Sequence, residues 1–146
     1  MTPLTGQELQ AARKAAAERF TAIAMLYVPE GYTIEYRKSL SGRHSASAKR
    51  ISAPRPVTRK SLYIFLHECA HAWLHSDQKG KRKRLKAHVR ELEAERWAHD
   101  KMREHGVAVP REMTKRAKNY VAYKIRQARK AGAKTIDRAA IKFAQS

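Results

Sequence analysis

The chain has a single cysteine, which excludes an internal disulfide; Cys69 lies in an apolar stretch, and a reducing interior is the compartment that suits it. Acidic residues are also scarce. Thirteen Asp and Glu stand against 32 Lys and Arg, a net charge of +19, and this imbalance bears on partners and solubility rather than on fold. Nucleic acid is the commonest polyanion for so basic a chain, with an acidic protein as the competing partner. No apolar run reaches the length of a membrane span, and Met1 to Gly6 lack the basic and apolar regions of a signal peptide, so a cytoplasmic protein with no membrane partner is expected. The 146 residues suffice for one compact domain and are too few for two.

Local patterns predict a largely helical chain. Thr5 and Glu8 form a capping-box pattern ahead of a helix over 7–27, which Pro29-Glu30-Gly31 ends. Residues 32–36 alternate in the manner of a strand, 49–53 form a weaker one, and the turn chemistry between them predicts a hairpin. After Pro54-Arg55-Pro56, Thr58 or Ser61 can cap a helix over 59–75. A second long helix is expected over 85–105, with Gly106 as its terminator, and Pro110 can open a third to about residue 130. A short helix ends near Ala144.

Within the first of these later helices, His67-Glu68-Cys69-Ala70-His71 is an HExxH pattern. Histidines four apart on a helix point the same way and can grip one metal ion, while the glutamate between them reaches a water beside that ion. Leu62, Leu66, Ala70, Trp73 and Leu74 supply an apolar surface, so the motif sits on an amphipathic helix. A peptidase zinc takes three protein ligands and keeps a fourth position open. His75 is a poor third ligand, because histidines at i, i+4 and i+8 span about 12 Å of helix; it suits a supporting place beside the ligands. On the 85–105 helix, Glu93 falls amid Val89, Leu92 and Trp97, whereas Glu91 and Glu95 lie opposite. A carboxylate in an apolar stripe needs a partner, which selects Glu93 as third ligand, or else pairs it with Arg96. His88 is the next competitor, ahead of Asp77.

The stretch from His67 to His75, followed by Glu93-Ala94-Glu95-Arg96-Trp97-Ala98, resembles the ImmA/IrrE metallopeptidases. Their HExxH helix is often followed by a further histidine, and a downstream helix carries Glu-Ala-Asn-x-Phe-Ala. Glu93, Ala94 and Ala98 match that second motif; Trp97 replaces its phenylalanine, and Glu95 stands where asparagine is usual. The resemblance covers roughly 5–110. It implies a small zincin-type domain of the gluzincin kind, α+β and mainly helical, with a two- or three-stranded sheet on the HExxH helix. It also implies a bacterial, phage or mobile-element protein that binds Zn²⁺ through His67, His71 and Glu93 and cleaves a DNA-associated regulator such as a transcriptional repressor. A more distant similarity is to SprT-like proteases, which are DNA-associated; there His88 would be the third ligand.

In such a site zinc supplies a Lewis acid and acidifies water, and Glu68 takes the proton and returns it to the leaving amine. His75, His99, Tyr120 and Tyr123 are the candidate donors to the oxyanion. Residues 1–110 are read as the peptidase core and 111–146 as a basic helical extension packed on it. That extension carries 11 Lys and Arg against Glu112 and Asp137. Lys115, Lys118, Lys124 and Arg126, with Lys79, Lys81, Arg82, Lys83 and Arg84 of the preceding loop, are candidate nucleic-acid contacts whose binding would weaken as salt rises. The alternative function is a non-catalytic zincin-fold module that binds nucleic acid or a regulator.

Overall fold

The computed structural model describes residues 2–76 and 86–146. Lys79, Lys81, Arg82, Lys83 and Arg84, together with Asp77, lie outside the described residues. The fold is α+β and mainly helical: α1 (Gly6–Met25), β1 (Thr33–Arg37), β2 (Arg43–Ser45), β3 (Arg50–Pro54), α2 (Arg59–Leu74), α3 (Ala87–Glu104), α4 (Arg111–Lys130) and α5 (Arg138–Gln145).

Helix ends follow from local chemistry. Thr5 Oγ1 accepts from the Glu8 amide at 3.1 Å and starts α1. Thr58 and Ser61 close a reciprocal capping box on α2: Thr58 Oγ1 accepts from the Ser61 amide at 3.1 Å, and Ser61 Oγ accepts from the Thr58 amide at 2.9 Å. At the end of α3 the amides of Gly106 and Val107 turn back to the carbonyls of Arg103 and Met102, at 3.0 and 2.9 Å. This Schellman closure needs a left-handed residue, and Gly106 supplies it with φ +69°.

The sheet departs from the hairpin expected for 32–36 and 49–53. β1 and β3 run parallel, Ile34 opposite Ile51, and the short β2 pairs antiparallel on the other side of β3, giving the order β1-β3-β2. A parallel link needs roughly a dozen residues rather than a tight turn. Residues 38–49 provide that length, and their polar turn chemistry shapes β2 and its flanking loops instead of a hairpin.

The core forms where α2 lies on β3. Ile51 and Ala53 meet Leu62, Phe65, Leu66 and Cys69, closed by Phe20, Ile23 and Ala24 of α1 and by Ala98 and Met102 of α3. Trp73 stays half out of this core and donates from Nε1 to the Tyr27 carbonyl at 2.7 Å. A second apolar cluster joins Leu92 of α3 to Val121 and Ile125 of α4 and Ala140 of α5. α3 is therefore buried along two flanks, one against α2 and one against the C-terminal helices. Among the described residues no helix is long and apolar enough to cross a membrane.

Candidate metal centre

α2 carries His67 and His71 on one face, and the capping box together with the buried leucines fixes how that face is turned. Their Nε2 atoms lie 3.1 Å apart. The third group that meets them comes from α3 and is Glu91, not Glu93. Its carboxylate oxygens stand 3.1 Å from His67 Nε2 and 3.3 Å from His71 Nε2, and the three side chains form the one candidate metal-holding group among the described residues.

The displacement of Glu93 has a packing cause. Bulky Leu92 and Trp97 mark two different flanks of α3: Leu92 joins the C-terminal cluster, and Trp97 packs edge-on to Tyr27, ring centroids 5.4 Å apart. The face that meets α2 is made of small residues, Ala94 and Ala98, both fully buried, with Glu91 and Glu95 beside them. Alanines permit close approach of the two helices, and that approach brings the short reach of Glu91 to the histidines. His88 lies on the other flank; its ring is buried and Nε2 accepts from the Asp137 amide at 3.3 Å, at the start of α5. It does not line the cleft.

Behind the ligand atoms stands a layer of supporting groups. Glu95 Oε1 lies 2.7 Å from His67 Nδ1. Burial pushes the Glu95 carboxyl up to about 8, against the pull of the Arg116 guanidinium. On the other ring, His71 Nδ1 lies 2.9 Å from His75 Nδ1, and His75 Nε2 lies 2.8 Å from Glu93 Oε1. Burial holds the His75 pKa below its ordinary value, so the ring is neutral near pH 7. A carboxylate only accepts, so His75 carries its proton on Nε2 and presents a lone pair at Nδ1. His71 must then donate from Nδ1, which turns its Nε2 into the site. Glu93 thus belongs to a Glu93–His75–His71 chain that sets the tautomer of His71, an arrangement common behind metal-bound histidines.

The electrostatics favour a positive charge at the centre. Burial opposes a charged His67, yet the Glu91 carboxylate and nearby Glu68 raise its pKa above the usual value. Burial likewise opposes a charged Glu91, but its contacts with His67 and His71 hold it well below the carboxylate range. Two imidazole nitrogens bound at about 2.0–2.1 Å in a tetrahedral shell sit about 3.3 Å apart. The observed spacings of 3.1, 3.1 and 3.3 Å fit that shell, and the donor set of two imidazoles and one carboxylate suits zinc.

Glu68 lies beside the ligand group and is only 7% exposed. Burial raises its pKa, with His67 and His71 pulling the other way. The β1–β2 loop roofs it. A Cβ added at Gly42 would fall 2.6 Å from Glu68 Oε2, so any larger residue there must displace the loop or Glu68. Arg37 Nη1 donates to Ser41 Oγ at 3.1 Å and holds this loop down. His44 of β2 stacks on His71, ring centroids 6.3 Å apart, and Nε2 pairs with the Tyr32 hydroxyl at 2.9 Å. Burial, then the neighbouring His71 and His75, bring its pKa down to about 4, so it is neutral at pH 7.

These groups form the floor of a cleft of about 690 Å³ between α2 and α4. Tyr120 and Tyr123 line its α4 wall, with Arg116 and Asn119. His75 also lines it, but both ring nitrogens are engaged within the Glu93–His75–His71 chain, which removes it as an oxyanion donor. His99 does not line the cleft; it packs edge-on to Tyr63 with centroids 5.2 Å apart. His44, Gly42, Glu91 and Arg116 were not singled out for the site from the sequence. For Glu91 the available signal was the Glu91–Ala94–Glu95–Ala98 spacing of a close helix contact; for His44 and Gly42 none was available, since their place depends on the sheet order. Compared with protein-family models, curated proteins and solved structures, the chain matches none.

Proposed function

We propose that the protein is a zinc-dependent endopeptidase of zincin type, with His67, His71 and Glu91 as ligands and Glu68 as general base. One observation carries the reading: two Nε2 atoms and a carboxylate converge within 4.8 Å of one another beside a buried glutamate, on the floor of an open cleft. Zinc held there supplies a Lewis acid toward the scissile carbonyl and makes water acidic enough to be deprotonated near neutral pH. Glu68, its pKa raised by burial, takes a proton from the attacking water and passes it to the departing amine. Neutral His44 stands on the cleft wall as a donor to the developing oxyanion.

A peptide substrate is favoured by the sheet. β2 is an edge strand whose Arg43 and His44 line the cleft, so an extended segment can add alongside it through main-chain hydrogen bonds. The basic charge of the chain supports a target found with nucleic acid, such as a DNA-bound regulator. The test is zinc content by mass spectrometry, together with cleavage of an unstructured protein such as casein. The parent chain binds one zinc and cleaves; Glu68→Gln keeps the zinc and loses cleavage; Glu91→Ala loses both. Retained cleavage in Glu68→Gln, or stoichiometric zinc in Glu91→Ala, would overturn the assignment.

A further inference from the structure

The cleft-facing edge of α4 carries a pattern that peptide hydrolysis does not use. Arg116, Tyr120, Tyr123 and Gln127 follow one another at spacings of four, three and four, so they share one edge of the helix. The packing face lies elsewhere, on Met113, Ala117, Val121 and Ile125. Tyr120 and Tyr123 are 43% and 45% exposed, and their rings sit 6.3 Å apart at a 32° tilt. Gln127 Nε2 donates to the Tyr123 hydroxyl at 2.8 Å, and the Lys124 ammonium lies 5.4 and 5.8 Å from the two ring centroids. Glu112, the acidic residue of α4, is already paired with Lys60 at 2.6 Å, so no carboxylate of this helix opposes an anion along the edge.

We propose that this edge binds single-stranded nucleic acid, with Tyr120 and Tyr123 as stacking platforms for bases and Arg116 and Lys124 as contacts to the backbone phosphates. An unpaired strand repeats a planar ring and an anion at every unit, which matches two neighbouring aromatic rings flanked by cationic side chains. A duplex keeps its base faces stacked within itself. An acidic peptide offers the charge without the rings. The net charge of +19 draws any polyanion to the surface, and the tyrosines choose the single strand. Arg116, Tyr120 and Tyr123 line the same cleft as the proposed zinc site, but none of these residues is a proposed ligand or the general base.

The experiment is fluorescence anisotropy on the full chain with labelled oligo-dT about fifteen nucleotides long, within the span that such surfaces cover. A duplex of equal length and a polyglutamate peptide of similar charge serve as rivals. Oligo-dT binds more tightly than either. Tyr120→Ala with Tyr123→Ala weakens it by about ten- to a hundredfold at unchanged salt slope. Tyr120→Phe with Tyr123→Phe, which keeps the rings, restores binding, and Lys124→Gln lowers the salt slope by about one. Equal affinity in the double alanine variant, or a duplex or polyglutamate that binds as tightly as oligo-dT, overturns the proposal.

Discussion

α2 and α4 face each other across one cleft and are built on opposite principles. α2 buries ten of its 16 residues, including Glu68, so most of its length is enclosed by packing. α4 buries four of 20 and turns arginines, lysines and tyrosines to solvent. On the proposed function, one wall is preorganised for chemistry, where small displacements would be costly; the other is an exposed surface, where the loss of one side chain leaves the fold intact. The lesson is that a site can draw its precision from one helix and its reach from another.

The comparison breaks most visibly in stability. Phe65 is fully buried under the sheet, and Phe65→Ala should cost about 3–5 kcal/mol in urea unfolding, whereas Arg126→Ala on exposed α4 should stay within about 0.5 kcal/mol. Equal losses would show that the two helices do not differ as described. A second break lies in the roof over Glu68. Gly42→Ala must move either the loop or the carboxylate, and misplacement by about 1 Å lowers turnover by about a hundredfold while zinc is retained. An active Gly42→Ala would mean that Glu68 has room to spare. The finest distinction concerns the Glu93–His75–His71 chain. Glu93→Gln should weaken zinc binding by about ten- to a hundredfold in competition with a chelator, short of the loss in Glu91→Ala. If the two variants lose zinc alike, the order of ligand and support is wrong.

Much of this architecture was legible in the sequence because its signals are local. Thr5, Thr58 and Gly106 announce helix ends through caps that involve neighbours three to five residues away. The HExxH pattern likewise needs only one helix to bring its histidines together. What was not legible depends on contacts between elements. The wheel of α3 is governed by its heaviest side chains, Leu92 and Trp97, but these belong to two different partners, and the contact with α2 is written in alanines. Glu93 seemed the buried acid for that reason, while Glu91 and Glu95 meet the histidines. The parallel pairing of β1 with β3 also escaped, because polar turn residues describe how a chain bends and not which strand it returns to.

One consequence follows from α3 being shared. Glu91, the carboxylate that meets both histidines, and Leu92, which anchors α4 and α5, are consecutive residues on the same turn. Any cation that favours the folded arrangement of Glu91 also shifts the opening equilibrium of the segment holding Leu92. If an ion binds at Glu91, the C-terminal helices are therefore thermodynamically linked to it through α3, and their amide protons should exchange more slowly when it is bound.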